Sequence, residues 1–304
     1  MGILSPAMSY IVDKEADGFP SPSEKIKLNK AIGRYRLILE TIAWRYDIGE
    51  IKFALADLLV GRNDPGDYDE ATKLYDEILA ISPDSYLGAK AMIGKAELLI
   101  TSAKPSDLDK AILMCDKALK LIDSKTEDFF VAKGYVVKAE LINKRAQKDD
   151  RDRALILFGE IIKRKTANWY FKARAMIGAA ELMEYNEKSD IDTAIKYSED
   201  AVKLLRNRPN DYFFNKGKIV NAELLTRKKN KGSLKKAEKL LRSVIVDEEA
   251  HKDLVARAKL DLAEMTKDGS AEKLTDEVQA MSGLDPYLIE KAKLIEGNLR
   301  ETRG

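Results

Sequence analysis

The chain has 304 residues, 45% hydrophobic and 34% charged, which supplies a folded core and an unusually large charged surface. Its 53 basic and 51 acidic residues nearly cancel, and a net charge of +2 offers no field to hold nucleic acid or an acidic membrane. One cysteine, Cys115, excludes an internal disulfide, and one histidine, His251, removes most metal sites and the usual acid–base chemistry. No apolar run approaches the roughly 18–20 residues of a membrane span. Met1–Tyr10 has neither the basic nor the apolar region of a secretory signal. The expectation is a soluble intracellular protein, cytoplasmic, with a signal removed before residue 1 left open.

Residues 1–20 carry Pro6, Gly18 and Pro20 without periodicity and read as a flexible arm, or as a segment that docks on a neighbouring molecule. Ser21-Pro22-Ser23-Glu24 supplies a helix start: Ser as N-cap, Pro at N1, Glu at N3. The apolar spacing predicts a helix to about Arg45, and residues 21–47 form an N-terminal capping helix.

From residue 48 the chain repeats. Ala89-Lys90-Ala91-Met92-Ile93-Gly94-Lys95-Ala96-Glu97-Leu98 returns almost unchanged as Ala173–Leu182, and weaker copies surround Ala139, Ala222, Ala263 and Ala56. The constant alanines at 56, 96, 139, 180, 222 and 263 are 40, 43, 41, 42 and 41 positions apart. A fixed period near 40 is the mark of a helical repeat array. Helix A of each pair carries this motif, near 48–61, 87–103, 130–146, 170–186, 213–229 and 252–267. Helix B follows near 68–81, 108–122, 151–165, 191–206, 234–247 and 271–281. Asp67, Asp107, Asp150, Asp190 and Ser233 stand where an N-cap would accept from free backbone N–H groups. Their D-x-D spacing lacks the glycine and distal glutamate of a calcium loop. Asp285-Pro286 opens a last helix, and residues 285–304 read as a C-terminal cap and tail.

Asp67 to Pro83 resembles helix B of a tetratricopeptide repeat. Ala71, Tyr75 and Pro83 match that family's small, aromatic and proline positions, while Ile78 stands where a second alanine is usual. The constant alanine of helix A resembles the small residue at the family's helix crossing. The family's helix A aromatics are poorly matched, and the period is longer than its own. The resemblance spans about residues 48–281 as five clear pairs and a degenerate sixth. It implies an all-α, right-handed solenoid of helix pairs whose concave wall, lined by A helices, binds peptides or proteins.

At 100° per residue, helix A has two apolar stripes, so it must be packed on both sides. Two charged columns stand between them. The basic one is Lys90, Lys133, Arg174, Lys216 and Arg257, and the acidic one is Glu97, Glu140, Glu181, Glu223 and Glu264. Within one helix they sit roughly 10 Å apart along the axis, too far to pair, but neighbouring helices could bring them together. They form either a ladder between repeats or a wall of alternating charge that reads a partner. A third column, Tyr46, Tyr86, Phe129, Tyr170 and Tyr212, precedes the basic residue by four in the last four members, a spacing that permits cation–π contact. These rings either plug the gap between repeats or form a rim that anchors a partner.

No phosphate-binding, dinucleotide, nucleophile-elbow or zinc-protease motif occurs. Cys115 reads as a buried thiol and His251 as a surface residue. The expectation is a non-catalytic scaffold or adaptor without cofactor or metal, its partner a protein or peptide and not a nucleic acid. The alternative is a self-associating subunit that organises an enzyme into oligomers.

Overall fold

The structure, a computed structural model, describes residues 22–41, 48–101, 104–122, 128–184, 190–209, 211–266 and 269–301. Among them are fourteen α-helices, one short 3₁₀ turn (Leu99–Thr101) and no strand. They are α1 (Pro22–Thr41), α2 (Ile48–Arg62), α3 (Asp67–Ile81), α4 (Tyr86–Leu98), α5 (Pro105–Leu121), α6 (Asp128–Arg145) and α7 (Asp150–Lys163). There follow α8 (Trp169–Glu184), α9 (Ile191–Leu205), α10 (Tyr212–Arg227), α11 (Lys231–Ile245), α12 (Lys252–Thr266), α13 (Gly269–Gln279) and α14 (Pro286–Glu301). The even-numbered helices from α2 to α12 are the A helices of the six pairs, and their B helices are odd-numbered. Helix α1 is described to Thr41; the remainder of the span expected to reach Arg45, with Tyr46 and the Ser21 cap, lies outside the described residues.

Packing divides the chain into two compact units, residues up to Ala179 and from Ala180 onward, with the boundary inside α8. In the first unit, helices α1 to α6 each pack on the next, and A helices also meet directly: α2 with α4, and α4 with α6. The second unit repeats the scheme from α9 to α14, with α10 on α12 and α12 on α14. Each unit is thus an all-α solenoid arrangement of helix pairs.

The constant alanine allows this closeness. Ala56, Ala96, Ala139, Ala180, Ala222 and Ala263 are all fully buried, so a larger side chain at any of them would hold two helices apart. Gly94 and Gly178 do the same two positions earlier. A Cβ on Gly94 would lie 2.6 Å from the Tyr75 ring of α3, and one on Gly178 would lie 2.5 Å from Phe158 of α7.

The turns from A to B differ from the expected caps. Asp190 accepts from the Asp192 amide as expected, but Asp67 and Asp150 are the first residues of their helices, capped by Gly66 and Asp149. Asp107 sits inside α5, which starts at Pro105, and Ser233 donates its amide to the true cap, Asn230. Asp67 and Asp150 are instead buried acceptors. Each takes a two-pronged hydrogen bond from an arginine at the end of the preceding A helix: Arg62 at 2.9 and 2.5 Å, Arg145 at 2.9 and 2.7 Å. Each also accepts a loop amide, from Asp64 and Gln147. Burial works against the Asp67 charge, yet Arg62 and the loop amide hold its pKa below the ordinary value. At Asp150 the Arg145 hydrogen bond leads the same lowering.

Candidate functional site

The basic column, six positions before the constant alanine, and the acidic column, one after it, meet across neighbouring A helices. In the first unit Lys133 of α6 lies 3.2 Å from Glu97 of α4. Arg174 of α8 spans two helices, giving two hydrogen bonds to Glu140 at 2.8 and 2.6 Å and a third to Glu97 at 2.7 Å. In the second unit the pattern returns. Lys216 meets Glu181 at 2.9 Å, and Arg257 bonds Glu223 at 2.8 and 2.7 Å and Glu181 at 3.2 Å. The geometry therefore supplies the ladder in both units. Arginine stands where one cation reaches carboxylates on two different helices, because its planar fork can bond in two directions while lysine acts as a point charge.

The two ends of the ladder depart from the pattern. Asp57, the acid of the first A helix, accepts from the Tyr75 hydroxyl at 2.8 Å. Lys90 turns instead to Glu50, a carboxylate in the basic column, at 2.9 Å. It also lies over the Phe53, Tyr86 and Phe130 rings, 4.5, 5.5 and 5.4 Å from their centroids. The spacing had pointed to the Tyr86 contact and had missed Glu50, Phe53 and Phe130. At the other end, Lys291 of α14 holds Asp261 at 2.8 Å and Glu264 at 3.4 Å.

In the first unit the cations are buried, as is Glu97 at 10% exposure, and only the outer carboxylates are open. The Lys90, Lys133 and Arg174 side chains are 9%, 8% and 4% exposed, while Glu50 and Glu140 are 32% and 21% exposed. Solvent there meets Glu50 and Glu140 more than the cations they pair with. In the second unit burial would raise the Glu181 carboxyl, but the Lys216 and Arg257 charges and hydrogen bonds overcome it and hold the pKa at about 2. Burial likewise opposes the Arg257 charge, and Glu223 and Glu181 outweigh it and raise its pKa.

The aromatic column closes gaps at the starts of the A helices. Tyr86 packs edge-on against Phe130 at 6.1 Å, and Phe129 against Phe171 at 5.0 Å, each ring leaning on the next A helix. Tyr170 is 2% exposed and meets both Trp169 and Phe171. Tyr212 packs on His251 at 5.9 Å. His251 is therefore not the surface residue expected: its side chain is 17% exposed, and burial lowers its pKa. Cys115 is fully buried and burial pushes its thiol pKa up, which suits a packing residue and not a nucleophile. Among the described residues no cluster of three metal-ligating side chains occurs, and no helix is long and apolar enough to cross a membrane.

No protein-family model matches this chain, and no curated protein matches it in sequence. Among solved structures it is similar to the crystal structure of yeast Tom70, with a TM-score of 0.55 and 18% identity. The match covers 99% of this chain and 64% of that one, so the chain spans less than two thirds of its neighbour's length. At that identity the likeness concerns fold alone. Together with the helix pairs it supports a tetratricopeptide-like all-α solenoid.

Proposed function

We propose that the protein is a non-catalytic interaction adaptor whose A-helix wall holds a segment of a protein partner. The carrying observation is the ladder of the first unit, where the buried cations Lys90 and Arg174 hold the more exposed carboxylates Glu50 and Glu140. Rigid, prepaired side chains lose little freedom when a partner arrives, so less of the contact energy is spent on ordering. An ionised carboxylate has about four acceptor positions, so one that already serves Lys90 or Arg174 can accept again. Glu50 and Glu140 are the open edges, and a segment bearing lysine or arginine fits them best. The balanced net charge argues against nucleic acid, and the fold likeness favours a protein partner. This assigns Glu97, Lys133 and Arg174 the task of holding the wall in shape, and Glu181, Lys216, Glu223, Arg257 and Glu264 the matching task in the second unit.

The test is an array of immobilised peptides, basic and acidic, probed with the purified protein. Basic peptides should be retained, and the double variant Glu50→Gln with Glu140→Gln should weaken retention about tenfold with unchanged helical circular dichroism. Retention that survives both substitutions would sink the wall as the binding surface.

A further inference from the structure

The A-to-B turn of the fifth pair concentrates positive charge. Left-handed backbone at Asn63, Ala146 and Lys229 marks the same place in three such turns. The matching stretches hold 2 cations and 5 acids (61–76), 5 cations and 3 acids (144–159), and 8 cations and 1 acid (227–242). The small net charge of the chain averages over this last turn, and the residues outside it are net negative.

Every cation of residues 227–242 is exposed. Three are held: Lys228 by Asp192 of α9 at 2.6 Å, Lys236 by Glu199 of the same helix, and Arg242 by Glu238 at 3.0 Å. Arg227, Lys229, Lys231, Lys235 and Lys239 have no ion-pair partner among the described residues. At 100° per residue Lys231, Lys235 and Lys239 share an arc of about 80° on α11, away from the buried Ala237, Leu241 and Val244. The open cations therefore form one stripe that continues from the turn along the helix.

We propose that this turn and the α11 stripe are a docking surface for an acidic segment of a partner protein, bound as one extended strand. Crowded like charges repel one another, so an anion that neutralises them lowers an energy the fold otherwise carries. Four residues of α11 rise about 6 Å, and alternate residues of an extended chain lie about 6.8 Å apart, so every second side chain of the strand meets a lysine. Nucleic acid fits less well. No aromatic side chain stands between Arg227 and Arg242 to stack a base. Asp192 and Glu199 border the stripe, so a duplex, wider than one helix, or a flat anionic membrane would press phosphate against carboxylate. A second copy of this chain offers little. Its longest run of acids is Asp247-Glu248-Glu249. In its acid-rich first turn Asp64, Asp67, Glu70 and Asp76 are already held by Lys25, Arg62, Arg36 and Lys95, which leaves Asp69. The surface lies in the second unit, so its failure and that of the first unit's wall are separate results.

The probe is a labelled peptide of about twelve residues, glutamate alternating with serine, titrated with the full chain and followed by fluorescence anisotropy. Binding should saturate and should weaken about tenfold as salt rises from about 50 to 300 mM. Lys235→Glu with Lys239→Glu should weaken it by about tenfold or more. Lys73→Glu with Lys120→Glu makes the same change of net charge in the first unit and should cost less than about twofold. All four lysines are exposed, so the melting temperature should hold. Glu50→Gln with Glu140→Gln should bind the acidic peptide as the parent does. Absence of saturable binding, or equal losses in the two lysine pairs, overturns the proposal. So does tighter binding of a DNA duplex than of the peptide, because nucleic acid would then be the occupant. Self-association in sedimentation velocity that Lys235→Glu with Lys239→Glu abolishes would overturn it too, in favour of a second copy.

Discussion

Replacing Glu97 by glutamine removes one charge that two buried cations share, Lys133 at 3.2 Å and Arg174 at 2.7 Å. Glu97 itself is 10% exposed. At an effective dielectric of about 20 the Lys133 contact alone has a gross Coulomb energy of about 5 kcal/mol. Desolvation of both groups offsets much of it, and breaking one side of a buried pair typically costs about 3–5 kcal/mol. Glutamine still accepts a hydrogen bond, and Arg174 keeps Glu140, so the expected loss is about 2–4 kcal/mol. With a urea dependence of about 2 kcal/mol per molar, the unfolding midpoint of the first unit should fall by roughly 1–2 M. Glu199→Gln is the control. Its ion pair with Lys236 is open to water, with side chains 33% and 52% exposed, and its loss should cost less than about 0.5 kcal/mol. Equal midpoints for the two variants would refute the view that the columns hold the repeats together.

The close helix crossing makes a second prediction. Gly178→Ala drives a Cβ into Phe158, whose ring is 1% exposed and has no room to retreat, so stability should fall by about 1–3 kcal/mol in thermal melts. Gly159→Ala on α7 meets nothing within 4 Å and should stabilise by up to about 1 kcal/mol, and a loss there equal to that at Gly178 would contradict the steric account. For Glu181 the folded pKa of about 2 lies below the ordinary 4.5, so its ion pairs stabilise the second unit above about pH 4.5 and weaken as pH falls toward 2. That contribution is on the order of 3 kcal/mol by proton linkage. Urea titrations between pH 6 and 3 should show a shallower acid loss for Glu181→Gln than for the parent, and parallel curves would exclude this carboxylate as the source.

The repeat, the two-sided packing of helix A and the meeting of the charged columns were legible because they depend on spacing alone. Constant alanines near a 40-residue step demand a close crossing, and all six are buried. What spacing could not give was reach. Lys133 and Arg174 occupy one column, yet the lysine meets the neighbouring helix and the arginine extends to the helix beyond, a difference of side-chain length and fork geometry. The caps failed for a related reason. An aspartate at a helix start reads the same whether it caps its own helix or receives an arginine, and only Arg62 and Arg145, each five residues earlier, distinguish the second case.

Those arginines expose a longer period that joins the remaining observations. Arg62 and Arg145 are 83 positions apart, as are Asp67 and Asp150, and Arg174 and Arg257. The left-handed residues Asn63, Ala146 and Lys229 keep the same step. The near-identical decamers at Ala89 and Ala173 differ from it by one. The structural unit is therefore one helix pair, but the ladder repeats every two pairs. Each arginine reaches carboxylates on the two preceding A helices, Arg174 those of Glu140 and Glu97 and Arg257 those of Glu223 and Glu181. Glu97 and Glu181 thereby serve two cations each, a lysine from the next A helix and an arginine from the one after it, while Glu140 and Glu223 take both prongs of an arginine fork. The alternation of lysine and arginine along the basic column, from Lys133 and Arg174 to Lys216 and Arg257, is what gives the ladder its two-pair period: the lysine ties one neighbouring A helix and the arginine ties two.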